Sequence, residues 1–126
     1  DLLNTVKQLP TQSTKKYSDF VQETISYIQD HIAEDLSLEV LAKIVNSNES
    51  YLSRTFKKEC GISIINYITT LRIALAKDLL AGSTLRTFEI ADSIGIHDAA
   101  YFSSLFKKNT GLSPKEYRNQ FIHQTN

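Results

Sequence analysis

The 126-residue sequence contains no tryptophan or methionine, two prolines, four glycines and one cysteine. Because Cys60 has no second cysteine to pair with, an internal disulfide is excluded and nothing indicates an oxidising compartment. No apolar run approaches the roughly 18 residues that a membrane-spanning helix requires, so we expect no membrane partner. A hydrophobic content of 41% is still sufficient for one globular domain to bury a core.

Residues suited to catalysis or metal binding are also few. His31, His97 and His123 are scattered, and the sequence contains no HExxH, CxxC, P-loop or GxGxxG spacing. His31 lies close to Glu34 and Asp35, but a solvated helix end accounts for this grouping. We therefore predict no catalytic residue, no metal site and no cofactor.

The formal net charge is zero, which does not by itself favour a nucleic-acid partner. The distribution of charge is uneven, however. Residues 17–50 carry seven acidic side chains and one lysine, whereas residues 51–62 have a net charge of +2 and residues 101–126 one of +3. Positive charge is thus concentrated in two short segments.

Helical periodicity extends through almost the whole chain, and no stretch alternates as hairpin strands do. The pattern predicts an all-α fold of about seven helices. Residues 1–16 are polar, contain Pro10 and show little periodicity, so we interpret them as a linker from an upstream domain. Caps and glycine stops place the helices at about 17–33, 38–46 after Ser37, 48–60 before Gly61, 64–81 before Gly82, 88–94, 98–109, and 114–123 within a capping box.

Three of the predicted helices have apolar residues from which a buried face can be inferred. In the short helix that begins at 38 these are Leu38, Leu41, Ala42 and Val45. In the first helix the stripe consists of Val21, Ile25, Ile28 and Ile32. In the long central helix it consists of Ile64, Ile68, Leu71, Leu75 and Leu79.

The two basic segments are copies of each other. YLSRTFKKECGIS (51–63) aligns with YFSSLFKKNTGLS (101–113) at an offset of 50, and upstream Leu41-Ala42 aligns with Ile90-Ala91 at an offset of 49. Each copy consists of a short helix, a tight turn and a second helix, which is the pattern of a helix-turn-helix motif. The sequence predicts one such unit at 38–60 and another at 88–109, joined by the helix 64–81.

The second helix of each unit has two faces. We predict that one face packs against the domain through Tyr51, Leu52, Thr55 and Phe56, and in the second copy through Tyr101, Phe102, Leu105 and Phe106. The opposite stripe is short and polar with a basic end, consisting of Ser50, Ser53, Arg54 and Lys57, and of Ala100, Ser103, Ser104 and Lys107. Such a helix can approach DNA closely and carry lysines to phosphates.

A simpler interpretation is available for the Phe-Lys-Lys ends. A core aromatic followed by two solvated lysines complements the helix dipole without any ligand. Its occurrence twice, in matching contexts, favours the DNA-binding interpretation, in which Lys57, Lys58, Lys107 and Lys108 contact phosphates or supply a positive field.

FEIADSIGIHDAAYFSSLFKKNTGLSPKEYR (88–118) resembles the C-terminal signature of the AraC/XylS family of bacterial transcription regulators. The resemblance covers about residues 17–123. It implies seven helices in two helix-turn-helix subdomains joined by a long helix, and one polypeptide that reads two successive major-groove segments on one face of the DNA. Ile96 replaces the phenylalanine that the family usually has after Gly95.

Site residues follow from the same resemblance. Base-contact positions fall on Ser50, Ser53, Arg54, Ala99, Ala100 and Ser104. Helix N-termini near Ser37 and Thr87 are expected to offer backbone amides to phosphates. Because the second unit presents no long hydrogen-bonding side chain among its base-contact positions, we expect the first to carry most of the base-specific readout.

Double-stranded DNA is the expected partner, with RNA polymerase as a further one and the cytoplasm as the compartment. The expected upstream domain is either a ligand sensor or a phosphoacceptor receiver. Two other functional classes stay open: a helical protein-interaction module that has lost DNA binding, consistent with the zero net charge, and a small helical enzyme, for which we find no constellation.

Overall fold

A computed structural model describes residues 17–124 of the chain, with side chains as far as residue 122. This range contains seven helices and no strand, which confirms the predicted all-α fold; the predicted linker, residues 1–16, lies outside it. The helices are α1 (Asp19–Asp30), α2 (Leu38–Ile44), α3 (Glu49–Cys60), α4 (Ile64–Gly82), α5 (Thr87–Ser93), α6 (Ala99–Thr110) and α7 (Pro114–Gln124).

The chain divides into two compact units within α4, between Leu71 and Arg72. Each unit has its own apolar core, in which the second helix of the motif contributes two fully buried side chains. The core of the first unit includes Val21, Ile25, Ile28, Leu41, Leu52, Phe56 and Tyr67. The core of the second includes Ile73, Ala76, Leu80, Ile90, Ile94, Phe102 and Phe106, and Ile96 is buried there as expected.

The internal repeat extends to the backbone of the tight turns. After α2, Asn46 adopts a left-handed conformation with φ 54°, and after α5 Gly95 does the same with φ 89°. In both turns an equivalent backbone hydrogen bond closes the helix end. Ser47 N donates to Ala42 O at 2.8 Å, and Ile96 N donates to Ala91 O at 2.9 Å. Asparagine is one of the few residues besides glycine that tolerates this conformation. Asn46 is therefore the counterpart of Gly95, which was not predicted from the sequence.

The first helix is shorter than predicted. The prediction followed the apolar spacing, which continues to Ile32, but the helical hydrogen bonds end earlier. The amide of His31 closes α1 by donating to Tyr27 O at 3.0 Å, and a turn follows in which Glu34 N donates to His31 O at 2.9 Å. The prediction of a helix over 17–33 is therefore wrong at its C-terminal end. Ile32 lies in the turn and is only partly buried.

The single apolar stripe predicted for the central helix is also wrong at one position. Leu75 is 36% exposed, although it continues the spacing of Ile68 and Leu71. The reason is that α4 contributes to two cores: Ile64, Tyr67 and Ile68 are buried in the first unit, whereas Ile73, Ala76 and Leu80 are buried in the second. One periodic stripe cannot describe a helix that serves two units.

The last helix is anchored by its predicted capping box and by Arg118, whose role was not predicted. Its capping box is formed, with Ser113 N donating to the Glu116 carboxylate at 2.8 Å and Glu116 N donating to Ser113 Oγ at 3.1 Å. The hydrogen bond from the Ser113 amide lowers the pKa of Glu116. The Arg118 guanidinium donates to Leu80 O at 3.0 Å and to Ser83 O at 3.2 Å, which holds α7 against the end of α4 within the second unit.

Candidate nucleic-acid interface

Helix α3 is held at both ends and buried along one side. The Asn48 side chain caps its N-terminus by accepting from Tyr51 N at 2.8 Å, and Gly61 ends it with φ 83°. Leu52 and Phe56 are fully buried. The opposite side presents exposed Ser50, Arg54 and Lys57, with Ser53 partly buried beside them.

The Arg54 side chain lies along its own helix, since its Nε donates to Ser50 O at 3.2 Å. A long, exposed guanidinium next to two small serines can release this weak bond and extend away from the helix. The structure therefore brings the three first-unit base-contact candidates, Ser50, Ser53 and Arg54, to one exposed surface.

An open groove of about 540 Å³ lies beside this surface. It is lined by Leu38 at the start of α2 and by Glu49, Ser50, Ser53 and Arg54 of α3. Glu49 is a groove residue that the sequence analysis missed, although an acid in the first turn of the second motif helix was visible. Its carboxylate can accept a hydrogen bond from cytosine N4.

Helix α6 repeats this arrangement. The Asp98 carboxylate caps it by accepting from Tyr101 N at 3.0 Å, Gly111 ends it with φ 85°, and Phe102 and Phe106 are fully buried. The base-contact candidates Ala99, Ala100 and Ser104 are all exposed. They expose two methyl groups and one hydroxyl.

A matching groove of about 440 Å³ lies beside α6. Besides Ala99, Ala100 and Ser103 it is lined by Thr87, Phe88, Ser113, Pro114 and Lys115. Phe88 is 57% exposed, and neither it nor Lys115 was singled out from the sequence. An apolar ring and two exposed alanines make this groove more hydrophobic than its counterpart in the first unit.

The helix N-termini expected to receive phosphates are capped differently in the two units. The Ser37 hydroxyl accepts from Val40 N at 3.2 Å, as its N-cap position predicts. Before Thr87 the amide of Arg86 donates to the Glu89 carboxylate at 2.8 Å. Arg86 is exposed at this position and was not predicted; a basic residue directly before the helix was the available signal.

The four predicted phosphate lysines, Lys57, Lys58, Lys107 and Lys108, are all exposed and occupy the last turns of α3 and α6. None of the three ion pairs found between residues 17 and 122 involves them. The Lys107 charge adds, after the two Ser113 hydrogen bonds, to the lowering of the Glu116 pKa. The Glu59 carboxylate accepts from Ser18 N and Oγ at 2.8 Å each.

Two aromatic residues depart from the prediction. Tyr51 and Tyr101 were expected to pack in the core, but they are 50% and 58% exposed. The prediction is wrong because each tyrosine lies about 100° around the helix from the buried Leu52 or Phe102, beyond the edge of the packed face.

His31 and His97 make separate contacts, and the His123 side chain lies outside the described residues. His31 stacks on Tyr27 at 3.9 Å, and the His97 imidazole contacts the Asp92 carboxylate in the second turn. No group of three metal-ligating side chains occurs within the described part of the chain. Among the same residues no helix has the length and apolarity needed to cross a bilayer.

The structure contains two short helix pairs, each joined by a turn that needs glycine or asparagine. In each pair the second helix is buried through aromatic side chains on one side and borders a groove on the other. These features define a protein with two helix-turn-helix units. Comparison with known proteins agrees. The sequence model of a helix-turn-helix domain family matches residues 41–120.

Two relatives and one solved structure indicate which family of helix-turn-helix proteins the chain resembles. The chain is 38% identical over 109 residues to the bifunctional transcriptional activator/DNA repair enzyme AdaA of Bacillus subtilis, covering 86% of this chain and 52% of AdaA. It is 36% identical over 99 residues to the arabinose operon regulatory protein of Escherichia coli, covering 78% and 34% of the two. The C-terminal domain of AraT, a response regulator from Geobacillus stearothermophilus, superposes with a TM-score of 0.82 at 40% identity, covering 84% and 88%.

The chain belongs to the AraC/XylS family of helix-turn-helix transcription regulators, as the resemblance of residues 88–118 predicted. It spans about half or less of the length of these two curated relatives. The match therefore concerns the helix-turn-helix part that the three proteins share.

Proposed function

We propose that this chain binds double-stranded DNA sequence-specifically for bacterial transcription regulation, with α3 and α6 each entering the major groove. The observation that carries the proposal is the repeated recognition surface: two copies of one helix, each buried through a Leu/Phe or Phe/Phe pair and each ending in two exposed lysines. A small-residue helix with a basic end fits between the DNA backbones and contacts both phosphates and bases.

Within this function we assign the contacts as follows. Ser50, Ser53 and Arg54, and Ala99, Ala100 and Ser104, face base edges. Phosphates are contacted by the four lysines and by the N-terminal turns at Ser37 and Thr87, where Arg86 adds a charge. Glu39 and Glu89 lie in the first turns of α2 and α5, and such acids weaken anion binding there. We therefore expect the lysines to contribute more to affinity than the helix N-termini.

The wider context is proposed from the relatives. AraT is described as a response regulator and AdaA as a transcriptional activator. We infer a cytoplasmic regulator in which a regulatory domain precedes this one and RNA polymerase is a further partner. AdaA also has a repair activity in its name, but the present chain matches only 52% of it, and we propose a non-catalytic role for this domain.

Replacing Arg54 by alanine is expected to relax base preference at one or two positions of one half-site. Arg54 carries the planar fork that can pair with guanine O6 and N7, and such a pair discriminates by about 1–3 kcal/mol. Ser104→Ala is the matched change in the second unit and should alter little, because it removes only one short hydroxyl. Affinities for single-base variants of a selected site measure both effects.

Two outcomes would contradict this asymmetry. An equal loss on every sequence for Arg54→Ala would place Arg54 on the DNA backbone rather than on a base. A sharp loss of discrimination for Ser104→Ala would show that the second unit reads bases despite its small side chains.

Inserting about five base pairs between the two half-sites is expected to weaken binding about tenfold or more. Successive major-groove segments on one face of B-DNA recur about every 10 base pairs, and half a turn moves one half-site to the far side. A ten-base-pair insertion restores the face and is the control for distance alone. Undiminished affinity after the five-base-pair insertion, measured by titration in vitro, would mean that the two units do not bind together.

A further inference from the structure

Tyr51 and Tyr101 occupy the same position in the two copies of the motif and are half exposed in both. A large aromatic side chain left at a surface loses hydrophobic stabilisation that burial would provide. The contacts assigned above do not use either residue. Their repeated exposure therefore calls for a role outside the core.

Packing accounts for only one of them. The Tyr51 ring stacks on Phe20 of α1, with ring centroids 5.4 Å apart and an interplanar angle of 16°. Among the side chains that the structure describes, none stacks on Tyr101 or hydrogen-bonds to its hydroxyl. The feature common to the pair is therefore an accessible phenol on the exposed half of a recognition helix.

Helix geometry places each tyrosine in line with a lysine. Tyr51 and Lys58, like Tyr101 and Lys108, are seven residues apart, which is about two helical turns and hence the same side of the helix. This flank lies next to the exposed line of Ser50, Arg54 and Lys57 on the surface of the helix. It lies on the side away from Ser53 and the groove at α2.

A helix in the major groove has a phosphate backbone on each side. One DNA backbone lies on the side of the N-terminal turn of α2, or of α5 in the second unit. The other DNA backbone then faces the tyrosine-lysine flank. A phenol donates one hydrogen bond to a phosphate oxygen, and tyrosine is among the side chains that make such contacts.

We propose that Tyr51 and Tyr101 donate their hydroxyls to DNA phosphates, forming with Lys58 and Lys108 a backbone-contacting flank on the far side of each recognition helix. This rests on the proposed DNA binding and extends it to a second backbone. Phe20 stacks on the Tyr51 ring and orients it before binding, whereas no described ring stacks on Tyr101.

Tyr101→Phe tests the proposal because it removes the hydroxyl and keeps the ring. The 126-residue chain is titrated with its selected duplex and with duplexes carrying one neutral methylphosphonate at each backbone position in turn. Tyr101→Phe should weaken binding to unmodified DNA about tenfold or more, as expected for one hydrogen bond to a charged group. On the duplex whose contacted phosphate is a methylphosphonate, the effects of Tyr101→Phe and of the methylphosphonate should not add. The affinities of the variant and of the original chain for that duplex should then differ by less than about twofold.

Tyr27→Phe on α1 is the matched control and should leave affinity unchanged. Since the hydroxyl is neutral, the salt slope of Tyr101→Phe should equal that of the original chain, unlike the slope of a lysine variant. Unchanged affinity for Tyr101→Phe, additivity at every phosphate, or an altered base preference would each overturn the proposal. Failure of the unsubstituted chain to bind any duplex would instead overturn the proposed function itself.

Discussion

Alanine at Lys57, Lys58, Lys107 and Lys108 together is expected to lower the affinity for every DNA duplex by about a thousandfold near 0.1 M salt. Each lysine that neutralises a phosphate releases condensed counterions, which contributes about 0.9 to the slope of log affinity against log salt. Four contacts therefore remove about 3.6 from that slope. The lysines are exposed in the last turns of α3 and α6, so their loss disturbs no core packing.

The controls separate charge from side-chain identity. Arginine at the same four positions keeps the charge and should keep most of the affinity and slope. Lys77→Ala, in the middle of α4, removes one charge from outside both recognition helices and should change the slope little. Unchanged affinity and slope after removal of the four lysines would refute the interface, and would favour the alternative of a protein-interaction module.

Phe106→Ala is expected to lower the free energy of unfolding of the second unit by about 3–5 kcal/mol, the usual cost of truncating a buried aromatic ring. Phe106 is fully buried, and its ring lies 5.8 Å from that of Phe102 and 5.5 Å from that of Tyr117. Removing it leaves a cavity beneath the recognition helix. Urea denaturation followed by circular dichroism measures the loss.

Phe56→Ala is the equivalent change in the first unit, where the ring lies 5.8 Å from that of Tyr67. Hydrogen exchange of backbone amides should show each substitution weakening protection mainly in its own unit. Phe106→Leu keeps most of the apolar volume and should cost less than alanine. A loss below about 1 kcal/mol for either alanine variant would contradict the core described here.

Features specified by short-range chemistry could be predicted from the sequence. Ser37, Gly61, Gly111 and the Ser113–Glu116 capping box act within one helical turn of themselves, and the structure places helix ends where they predict them. The repeat of Phe56 at Phe106 indicated two equivalent units, because the same residue fills the same core position in each.

Features that depend on neighbouring elements could not be predicted in the same way. Tyr51 and Tyr101 lie at the edge of an apolar face, and their burial depends on whether another helix covers that edge. Leu75 fits the local spacing, but α4 contributes to two cores and leaves it exposed. For both kinds of position the deciding contact is distant in sequence.

In the candidate site, too, some residues follow from local helical spacing and others depend on packing between helices. The exposed lines containing Arg54 and Ser104 follow from helical spacing once Leu52 and Phe102 are taken as buried. Phe88 and Lys115 could not be assigned to the second groove, because they come from α5 and α7, and only packing brings them beside Ala99. Asn46 could have been recognised, since the repeat aligns it with Gly95.

Selection from a random duplex pool tests most directly whether the two recognition helices, α3 and α6, read a DNA sequence. The 126-residue chain is used to enrich bound duplexes, and the affinity for the enriched site is compared with that for a scrambled duplex at several salt concentrations. We predict a site with two conserved half-sites about 10 base pairs apart. It should be bound at least about a thousandfold more tightly than the scrambled duplex, with a steep salt slope on both. A pool that converges on no sequence, with equal affinity for all duplexes, would contradict the account.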